Sequence, residues 1–484
     1  MPVYLDHAAT TPMIPAARSA YVSALDLVGN PSSIHSQGQQ AKRMLEESRE
    51  VVAASLGAEP IEVIFTSGGT ESINLGIKGL YWARQGAAPA AGAAPAAAAA
   101  AAAGAAAAGS RPVALIPGGE HHATVDAVEW LARHEGARVV QLPVDSLGRL
   151  SPEVLASALA EHGASVALVS LLWANNEVGT VQDVAALAAV ARSFRVPVHV
   201  DAVAAYGYLP LSFASVGADA LSVSAHKIGG PVGIGALVVA RRSAVEPLIH
   251  GGNQQRVRSG TQDVAGAVAF AAAAALVPQP GGGVAAVSPG APASRDGVAA
   301  VSPGAPASRD GVGGDVTGAV SAGAAELLDR PEIAGRVAGE AAGGGDADFV
   351  AELAGLRDRL IAGVQAAVPD AVLRGDPSPA GRLPGNAHFT FPGCEGDSLL
   401  FLLDMQGFSV STGSACQAGV PEVSHVLTAM GVPDDEARGA LRFTLGHGTT
   451  AAEVDALVAA LPAAYAAARK AGFADRLVTP ATRA

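Results

Sequence analysis

Short apolar segments alternate with helical patterns through the first half of the chain, and this alternation constrains the fold more than any other feature. Strand-like runs occur at residues 62–66, 113–116, 139–142, 166–172, 196–200 and 220–224. Helical patterns fall between them at residues 72–84, 123–135, 152–162 and 184–194. Strands that alternate with helices build parallel sheets covered by helices on both faces. The sequence therefore predicts an α/β fold with a mainly parallel sheet.

Two low-complexity segments interrupt this alternation. Residues 86–109 contain only Ala, Gly and Pro, and a second segment runs from about residue 278 to residue 345. The second segment includes a tandem repeat, in which residues 283–296 are copied at residues 297–310. Such compositions have too few large apolar side chains to offset the conformational entropy lost on folding. The remaining residues, about 390, suit two domains, which we place at 1–260 and 261–484.

The composition argues against several classes of function. The net charge of −13, without a basic stripe, is unlike that of a nucleic-acid-binding protein. The first residues lack the pattern of a signal peptide, and residues 86–109 are too interrupted for a convincing membrane span. Two cysteines in the whole chain fit a reducing cytosol, and the twelve histidines lack metal-ligand spacing. We predict a cytoplasmic protein without a metal, a nucleic-acid partner or a membrane partner.

One lysine occupies a position that a lysine-dependent reaction would require. Lys227 follows a strand-like run, close to Ser224 and His226, and precedes a glycine-rich turn. The chain uses arginine at nearly all other basic positions, but arginine cannot form a Schiff base or readily give up a proton. The retained lysine therefore indicates covalent chemistry on a carbonyl group. Taken alone, an exposed loop lysine would be the ordinary explanation.

Other polar residues follow the predicted strands, where ligands bind in parallel sheets. Residues 67–72 combine glycines with the start of a helix, which suits an anion, although a capping turn explains them equally well. Asp201 ends a strand-like run, where its carboxylate could pair with a protonated pyridine nitrogen or cap a helix. His121 and Asn176 follow two further strands and could project over the same pocket.

Two residues near the carboxyl terminus add a thiol and a guanidinium. Cys416 lies among small residues at 411–419, a composition typical of an exposed loop in which a thiolate can reach a ligand. Arg442 lies in the strand-like run 440–445, where it could bind a carboxylate or lie at a rim. Cys394 has no comparable context, and a disulfide between the two cysteines is the minor alternative.

Taken together, these segments resemble a cysteine desulfurase of the class V aminotransferase family, whose members are fold-type I enzymes that use pyridoxal 5′-phosphate (PLP). The matching segments cover almost the whole chain outside the low-complexity parts, and they are residues 4–12, 29–35, 65–72, 120–121, 175–179, 199–202, 224–227, 258–261, 411–416 and 441–446. The resemblance implies a large PLP-binding domain with a mainly parallel sheet and a smaller α/β C-terminal domain.

The resemblance also implies how PLP would be held. Lys227 would bind the cofactor covalently and act as the base at the substrate Cα. Asp201 would pair with the pyridinium nitrogen, and His121 would stack on the ring and assist proton transfer. The phosphate would be bound by Gly69, Thr70, Ser224, His226 and, from the second subunit of a homodimer, Thr261. Asn176 would contact the ring oxygen.

Three further residues would handle the substrate and its sulfur. Asn30 and Arg442 would bind the carboxylate of L-cysteine, and Cys416 would take the sulfur as a persulfide. An iron–sulfur scaffold protein or a tRNA-thiolating enzyme would then accept it. A selenocysteine lyase or an aminotransferase of the same family is the alternative, and Cys416 is the discriminator because transamination needs no thiol. Ala204 departs from the pattern, since many relatives have Gln there to share the ring oxygen with Asn176.

The low-complexity segments are predicted to be dispensable for the chemistry. The free energy of loop closure changes by only about 0.6 kcal/mol for each doubling of loop length. Replacing residues 86–109 and 280–345 with short Gly/Ser linkers should therefore preserve PLP absorbance and alanine production from L-cysteine. Size-exclusion chromatography checks the assembly, and loss of the dimer in the shortened protein would show that one segment packs against the folded chain.

Overall fold

The computed structural model describes residues 2–85, 111–252, 255–278, 346–413 and 423–477. The predicted low-complexity segments lie outside these ranges, apart from Pro278. Residues 414–422, which include Cys416 and most of the predicted loop 411–419, also lie outside them. All statements about the structure below concern the described residues.

The described residues form twelve strands and thirteen α-helices. The strands are β1 (Val3–Tyr4), β2 (Val63–Thr66), β3 (Val113–Pro117), β4 (Arg138–Leu142), β5 (Val166–Leu172), β6 (Val198–Asp201), β7 (Ala220–Ser224), β8 (Gly235–Val239), β9 (Val372–Arg374), β10 (Asn386–Thr390), β11 (Phe408–Ser409) and β12 (Ala440–Thr444). The helices are α1 (Pro15–Leu25), α2 (Ser36–Ser55), α3 (Gly69–Ala83), α4 (His122–Glu135), α5 (Pro152–His162), α6 (Val184–Ser193), α7 (Phe213–Val216), α8 (Val264–Ala274), α9 (Asp346–Ala367), α10 (Gly396–Asp404), α11 (His425–Ala429), α12 (Asp434–Ala437) and α13 (Ala451–Leu477).

The largest sheet has the predicted, mainly parallel arrangement. Its strand order is β2-β8-β7-β6-β5-β3-β4. Strand β8 pairs antiparallel with β2 and β7, whereas the other neighbouring strands pair in parallel. Helices α3 to α6 lie where the sequence predicts helical patterns. The α/β fold class is therefore confirmed, and the carboxyl ends of β5, β6 and β7 meet at one edge of the sheet.

Burial on both faces explains why these strands read as continuous apolar runs. All residues of β3, β5, β6 and β7 are buried, whereas the edge strand β4 is partly exposed. A polar exception lies at the centre of the sheet, where the ring of His199 contacts Ser170 Oγ at 2.9 Å and Ser222 Oγ at 2.8 Å. Burial lowers the pKa of His199 to about 3. This imidazole is a neutral, hydrogen-bonded core group.

Side-chain caps begin most of the helices beside the sheet, and α3 is an informative exception. The Nδ1 atom of His121 accepts a hydrogen bond from Ala123 N at the start of α4, and Ser151 Oγ accepts one from Val154 N at the start of α5. Helix α3 follows Gly68, which has no side chain to cap it. The first N–H groups of a helix have no intrahelical partner. The start of α3 is therefore available to an anion.

A second, smaller core lies between the other strands and the C-terminal helices. Strands β12, β10 and β9 form an antiparallel sheet, with Phe389 and Phe443 buried between it and helices α9 and α13. Helix α13 is long and apolar enough to cross a membrane by length and composition alone. Its residues Val454, Leu457 and Leu461 are fully buried in this core. We therefore interpret α13 as a core helix.

Helix α8 packs in the first core, although it follows the predicted domain boundary at residue 260. It contacts α1 and α2, and the first core includes Val277 and, much later in the chain, Leu383. The residues of the second core, apart from Leu5 of the N-terminal segment, belong to the chain from Leu353 onward. The division at residue 260 stays a prediction, and this packing favours a boundary after Val277.

The N-terminal segment between β1 and α1 connects the two cores. Strand β1 pairs with β11, and Leu5 is buried in the second core. Further along, Thr11 N donates to His226 O at 3.2 Å and Ile14 N donates to Gly229 O at 2.9 Å, both beside the first core. The segment between these anchors therefore crosses the edge of the large sheet at which β5, β6 and β7 end.

Candidate active site

A cavity of about 350 Å³ lies at the carboxyl ends of β5, β6 and β7. This is the edge at which parallel sheets bind ligands. The cavity brings together most residues that the sequence singles out, and its lining includes Gly69, Thr70, His121, Asn176, Asp201, His226, Lys227 and Arg442. Ala204 also lines it, so the position at which many relatives have Gln faces the site.

Lys227 is held by the N-terminal segment. It ends a 3₁₀ turn, Ala225–Lys227, directly after β7. Its Nζ atom donates hydrogen bonds to Ala8 O and, at 3.0 Å, to Ala9 O. The amine therefore lies at the cavity wall, on the same side as the end of β6.

Asp201 is a buried carboxylate at the end of β6, with 2% of its surface exposed. Its Oδ1 atom accepts a hydrogen bond from Val203 N at 2.9 Å. Burial raises the pKa of Asp201 to about 6, although this hydrogen bond and the charge of Lys227 oppose the increase. A buried carboxylate is stabilised by a cationic partner. A protonated ring nitrogen in the cavity would supply one.

His121 is a neutral ring fixed by its own backbone. Its Nδ1 atom accepts the capping hydrogen bond from Ala123 N, which places the ring proton of the neutral imidazole on Nε2. Burial and the charge of Lys227 lower the pKa of His121 to about 4. A neutral imidazole at physiological pH is suited to stacking on a flat cofactor and to exchanging a proton through Nε2.

Glu120 is a second buried carboxylate beside Asp201, and sequence reasoning gives it no role. Its Oε1 atom accepts a hydrogen bond from Leu172 N at 2.8 Å, and 1% of its surface is exposed. Burial, together with the charge of Asp201, raises the pKa of Glu120 well above the ordinary value for glutamate. A neutral Glu120 lets Asp201 carry the negative charge of this region, because two adjacent buried carboxylates resist joint ionisation.

The start of α3 and the end of β7 form a small polar cradle. An added Cβ at Gly69 would lie 2.9 Å from Val203 Cγ2 and 3.5 Å from Ser224 Cβ, so a side chain there would fill the cradle. Ser224 Oγ is buried without a protein partner. His226 contributes an imidazole whose Nδ1 lies 3.2 Å from Thr10 Oγ1. A bound phosphate would satisfy the free hydroxyl and the helix N–H groups.

The polar wall opposite this cradle fits the ring oxygen of PLP and a substrate carboxylate. Asn176 Oδ1 is buried without a protein partner, and the terminal amide lines the cavity. Arg442, with 5% of its surface exposed, donates from Nη1 to Asn176 O at 3.0 Å and from Nη2 to Asp6 Oδ1 at 2.8 Å. Its Nε atom is buried and unpartnered. The Nδ2 donor of Asn176 and the Asp201 carboxylate match the ring oxygen and the ring nitrogen of PLP, while the Nε donor of Arg442 matches a substrate carboxylate.

Asp6 is a site residue that sequence reasoning missed. It lies in the motif at residues 4–12 and lines the cavity, where its carboxylate pairs with Arg442. The acidic residue within that motif was a signal, but its partner is 436 residues away in the chain. The segment after β1 brings the two residues together, because Asp6 pairs with Thr444 of β12 in an isolated bridge.

Two predicted site residues lie elsewhere in the described structure. Asn30 is exposed in the loop between α1 and α2, where its Oδ1 accepts a hydrogen bond from Ser32 N at 2.9 Å. Thr261 is exposed before α8, and neither residue lines the cavity of its own chain. Cys416 lies outside the described residues. Cys394 is buried, and its burial raises the pKa of the thiol to about 11, so it is a poor nucleophile.

Comparison with known proteins gives the same assignment as the site. The chain matches the class-V aminotransferase family over residues 3–91 and 90–288. It is 44% identical over 472 residues to an IscS-like cysteine desulfurase of Mycobacterium tuberculosis, covering 97% of this chain and 98% of that protein. It is 37% identical over 463 residues to a cysteine desulfurase of Cereibacter sphaeroides, covering 95% of each protein.

A solved structure shares the fold over nearly its whole length. The NifS-like protein from Rickettsia africae superposes with a TM-score of 0.70 and 25% sequence identity, covering 96% of this chain and all of that one. The chain therefore belongs to the class-V aminotransferase family. Within that family it falls among the cysteine desulfurases, and it is an enzyme that uses PLP. The predicted family and cofactor are confirmed.

The raised pKa of Asp201 predicts a pH dependence of stability in the cofactor-free protein. The folded-state pKa of about 6 lies above the ordinary value of 3.8, so ionised Asp201 opposes folding. The unfolding free energy should fall by about 3 kcal/mol as the pH rises from the lower pKa to the higher one, and then level off. Asp201→Asn should remove this fall.

Urea unfolding of the cofactor-free protein and of Asp201→Asn, on both sides of pH 6, checks the dependence. A second test repeats the unfolding experiment with bound PLP. A pyridinium partner should lower the pKa of Asp201 and so reduce the difference between the pH profiles of the two proteins. An identical pH profile for both proteins would contradict the burial of an ionisable carboxyl at this position.

Proposed function

We propose that this desulfurase transfers the sulfur of L-cysteine to the thiol of Cys416, with release of L-alanine. The main support for the proposal is that a single cavity combines the amine of Lys227, the carboxylate of Asp201 and the guanidinium of Arg442. These groups suit the covalent attachment of a carbonyl cofactor, the pairing of its ring nitrogen and the binding of an amino-acid carboxylate.

The residues at the cavity wall divide the work of proton transfer. PLP, when bound, supplies an electron sink that stabilises negative charge at the Cα of an amino acid. Lys227 removes the proton at Cα, and the charge of Asp201 keeps the ring nitrogen protonated. Since its pKa is lowered to about 4, His121 remains neutral and covers the ring without adding a competing positive charge. Asn176 provides the polar contact for the ring oxygen.

Arg442 orients the substrate in this proposal. Its guanidinium is nearly fully buried, so a substrate carboxylate would meet it with little competition from water. A fork of parallel N–H donors fixes the direction of a carboxylate as well as its position. Asn30 adds a second contact in the predicted site, from a loop that does not line the cavity of its own chain.

The sulfur step uses the thiolate of Cys416. The thiolate attacks the sulfur of the substrate, so an S–S bond forms while the Cβ–S bond breaks. The electron pair of the broken bond stays with the carbon skeleton, which takes up protons and leaves as L-alanine. The product on the protein is a persulfide, and no external oxidant or reductant is consumed. Cys394 is unsuited to this role, since burial raises the pKa of its thiol to about 11.

The assembly and the acceptor belong to the same proposal. Apolar side chains are exposed around the Asn30 loop, and they are Val22, Leu25, Val28 and Ile34. Exposed apolar groups in one region are typical of a protein interface. A homodimer formed there would cover this surface and would also explain why Thr261 does not line the cavity of its own chain. We propose a cytoplasmic homodimer that passes sulfur to an iron–sulfur scaffold protein or a tRNA-thiolating enzyme.

Replacing Cys416 should separate the two halves of the reaction. Cys416→Ala should bind PLP and L-cysteine normally, because Lys227, Asp201 and Arg442 are unchanged. It should form no persulfide and should lose nearly all alanine production, since no thiolate is left to attack the sulfur. Mass spectrometry after a pulse of L-cysteine should find the added sulfur on Cys416 in the unmodified enzyme.

Cys394→Ala is the matched control and should keep both persulfide and alanine. An aminotransferase or a lyase would lose little in either variant, because its chemistry needs only the cofactor and the lysine. A persulfide on Cys394, or near-normal alanine production by Cys416→Ala, would therefore overturn the proposal.

Asp6 should set the affinity for the substrate carboxylate. Its own carboxylate occupies Nη2 of Arg442, so the substrate must share or replace this ion pair. Asp6→Asn keeps the shape and removes the competing charge. The KM for L-cysteine should fall by up to about tenfold, which corresponds to one charge-assisted hydrogen bond. Steady-state kinetics give KM and kcat separately, and kcat should change less than KM.

Arg442→Gln is the opposite variant and should raise KM. A rise in KM for Asp6→Asn as well would show that Asp6 mainly orients the guanidinium. The hypothesis that the two carboxylates compete for Arg442 would then be wrong, while the proposed role of Arg442 in binding the substrate carboxylate would stand.

A further inference from the structure

A second cavity of about 350 Å³ lies at the opposite edge of the large sheet. Residues that precede β6 and β7 line it, together with residues that follow β8 and the ends of α3 and α6. The candidate active site lies beyond the other ends of β6 and β7, so the two cavities are separated by the length of the strands. Nothing in the desulfurase chemistry uses this second cavity.

Positive charge is concentrated in this cavity. Four arginines line it, and they are Arg84, Arg192, Arg195 and Arg242. Asp219 is the acidic residue in the lining, and its carboxylate accepts hydrogen bonds from Val198 N at 2.9 Å and Ser243 Oγ at 2.6 Å. It also pairs with Arg242 Nη2 at 3.6 Å, which leaves three of the four arginines without an acidic partner in the lining. An excess of guanidinium groups on a chain with a net charge of −13 favours a bound anion here.

The side chain of Arg84 has a polar atom without a protein partner. Its Nη2 atom donates to Arg195 O at 3.3 Å, but its Nε atom is buried and makes no hydrogen bond. Burial and the charge of Arg111 lower the pKa of Arg84. A buried N–H without an acceptor costs free energy. An anion in the cavity would supply the acceptor and offset the repulsion between the arginines.

The other arginines keep donors available as well. Arg192 Nη2 donates to Gly217 O at 3.0 Å, and Arg242 Nη2 donates to Gly217 O at 3.0 Å and to Ala218 O at 2.8 Å. These bonds to carbonyl groups come from one nitrogen of each side chain. A guanidinium has five N–H donors. The bonds therefore hold the side chains in place and leave donors for a ligand.

The backbone at the cavity is held in an unusual conformation. Arg195 has a φ of 57°, and it is the single non-glycine residue with a positive φ in the described part of the chain. This left-handed residue follows the end of helix α6, where Arg195 N donates to Arg192 O at 2.9 Å and Val196 N donates to Ala191 O at 3.1 Å, an ordinary helix C-terminal motif. The conformation presents Arg195 O to Arg84 Nη2, which holds the Arg84 side chain against the cavity.

We propose that this arginine cavity binds a diphosphate group, either as free diphosphate or as part of a nucleotide. Its volume is within the range of small-molecule sites, and several guanidinium groups around one space suit the many oxygens of a diphosphate. The cavity also has apolar walls, formed by residues such as Leu80, Val196 and Ala244, which would contact the organic part of a nucleotide.

Titration calorimetry of the PLP-loaded enzyme with inorganic diphosphate tests the proposal. Bound PLP occupies the phosphate cradle of the active site, so diphosphate cannot bind there. We expect one saturable site per chain, and a loss of affinity of about tenfold for Arg84→Gln and for Arg192→Gln, because each removes a charge-assisted hydrogen bond. A parallel titration with ADP distinguishes free diphosphate from a nucleotide as the ligand. Tighter binding of ADP than of diphosphate would indicate a nucleotide.

Arg241→Gln is the matched control. Arg241 is the chain neighbour of Arg242 but does not line the cavity, and it pairs with Glu59 at 3.0 Å on the surface. This variant should bind diphosphate as the unmodified enzyme does. Absence of binding, or equal weakening in Arg241→Gln and the two cavity variants, would overturn the proposal. Circular dichroism and PLP absorbance show whether each variant is folded and has bound PLP. Because the two cavity substitutions lie on different elements, the second variant still tests the proposal if the first one misfolds.

Discussion

The contact between the N-terminal segment and the edge of the parallel sheet is the interaction on which the site depends. The segment begins in the second core and ends beside the first, and its backbone binds the Lys227 amine through Ala8 O and Ala9 O. Within the same few residues, Asp6 pairs with Arg442. The lysine from one core and the arginine from the other therefore meet in a single cavity because this segment joins them.

Burial then decides the charge of each group around the cavity. It keeps His121 neutral, raises the pKa of Glu120 and leaves Asp201 as the carboxylate that a cation would stabilise most. The buried atoms Asn176 Oδ1 and Ser224 Oγ have no protein partner. Binding of PLP would give the Ser224 hydroxyl a phosphate oxygen as its partner and the Asp201 carboxylate a cationic one. Bound PLP is therefore expected to stabilise the folded protein as well as to supply its chemistry.

Much of the fold and of the cofactor site was predictable from the sequence, because strand ends in a parallel sheet converge and local motifs follow them. Partnerships between distant residues were not predictable. Asp6 and Arg442 meet because the segment after β1 pairs with β12 at Thr444, and the arginines of the second cavity come from segments between residues 84 and 242. The predicted roles of the site residues all stay predictions; Asn30 and Thr261 lie away from the cavity of their own chain, and Cys416 lies outside the described residues.

His121 performs two tasks with one ring, and this limits how the site can change during evolution. Its Nδ1 atom caps α4, while the rest of the imidazole lines the cavity. A phenylalanine or tryptophan could still cover a flat cofactor, but neither offers an acceptor in that place, and loss of a cap costs about 1 kcal/mol. Exchange of the aromatic group is therefore coupled to the stability of a helix, so histidine is constrained here by folding as well as by chemistry.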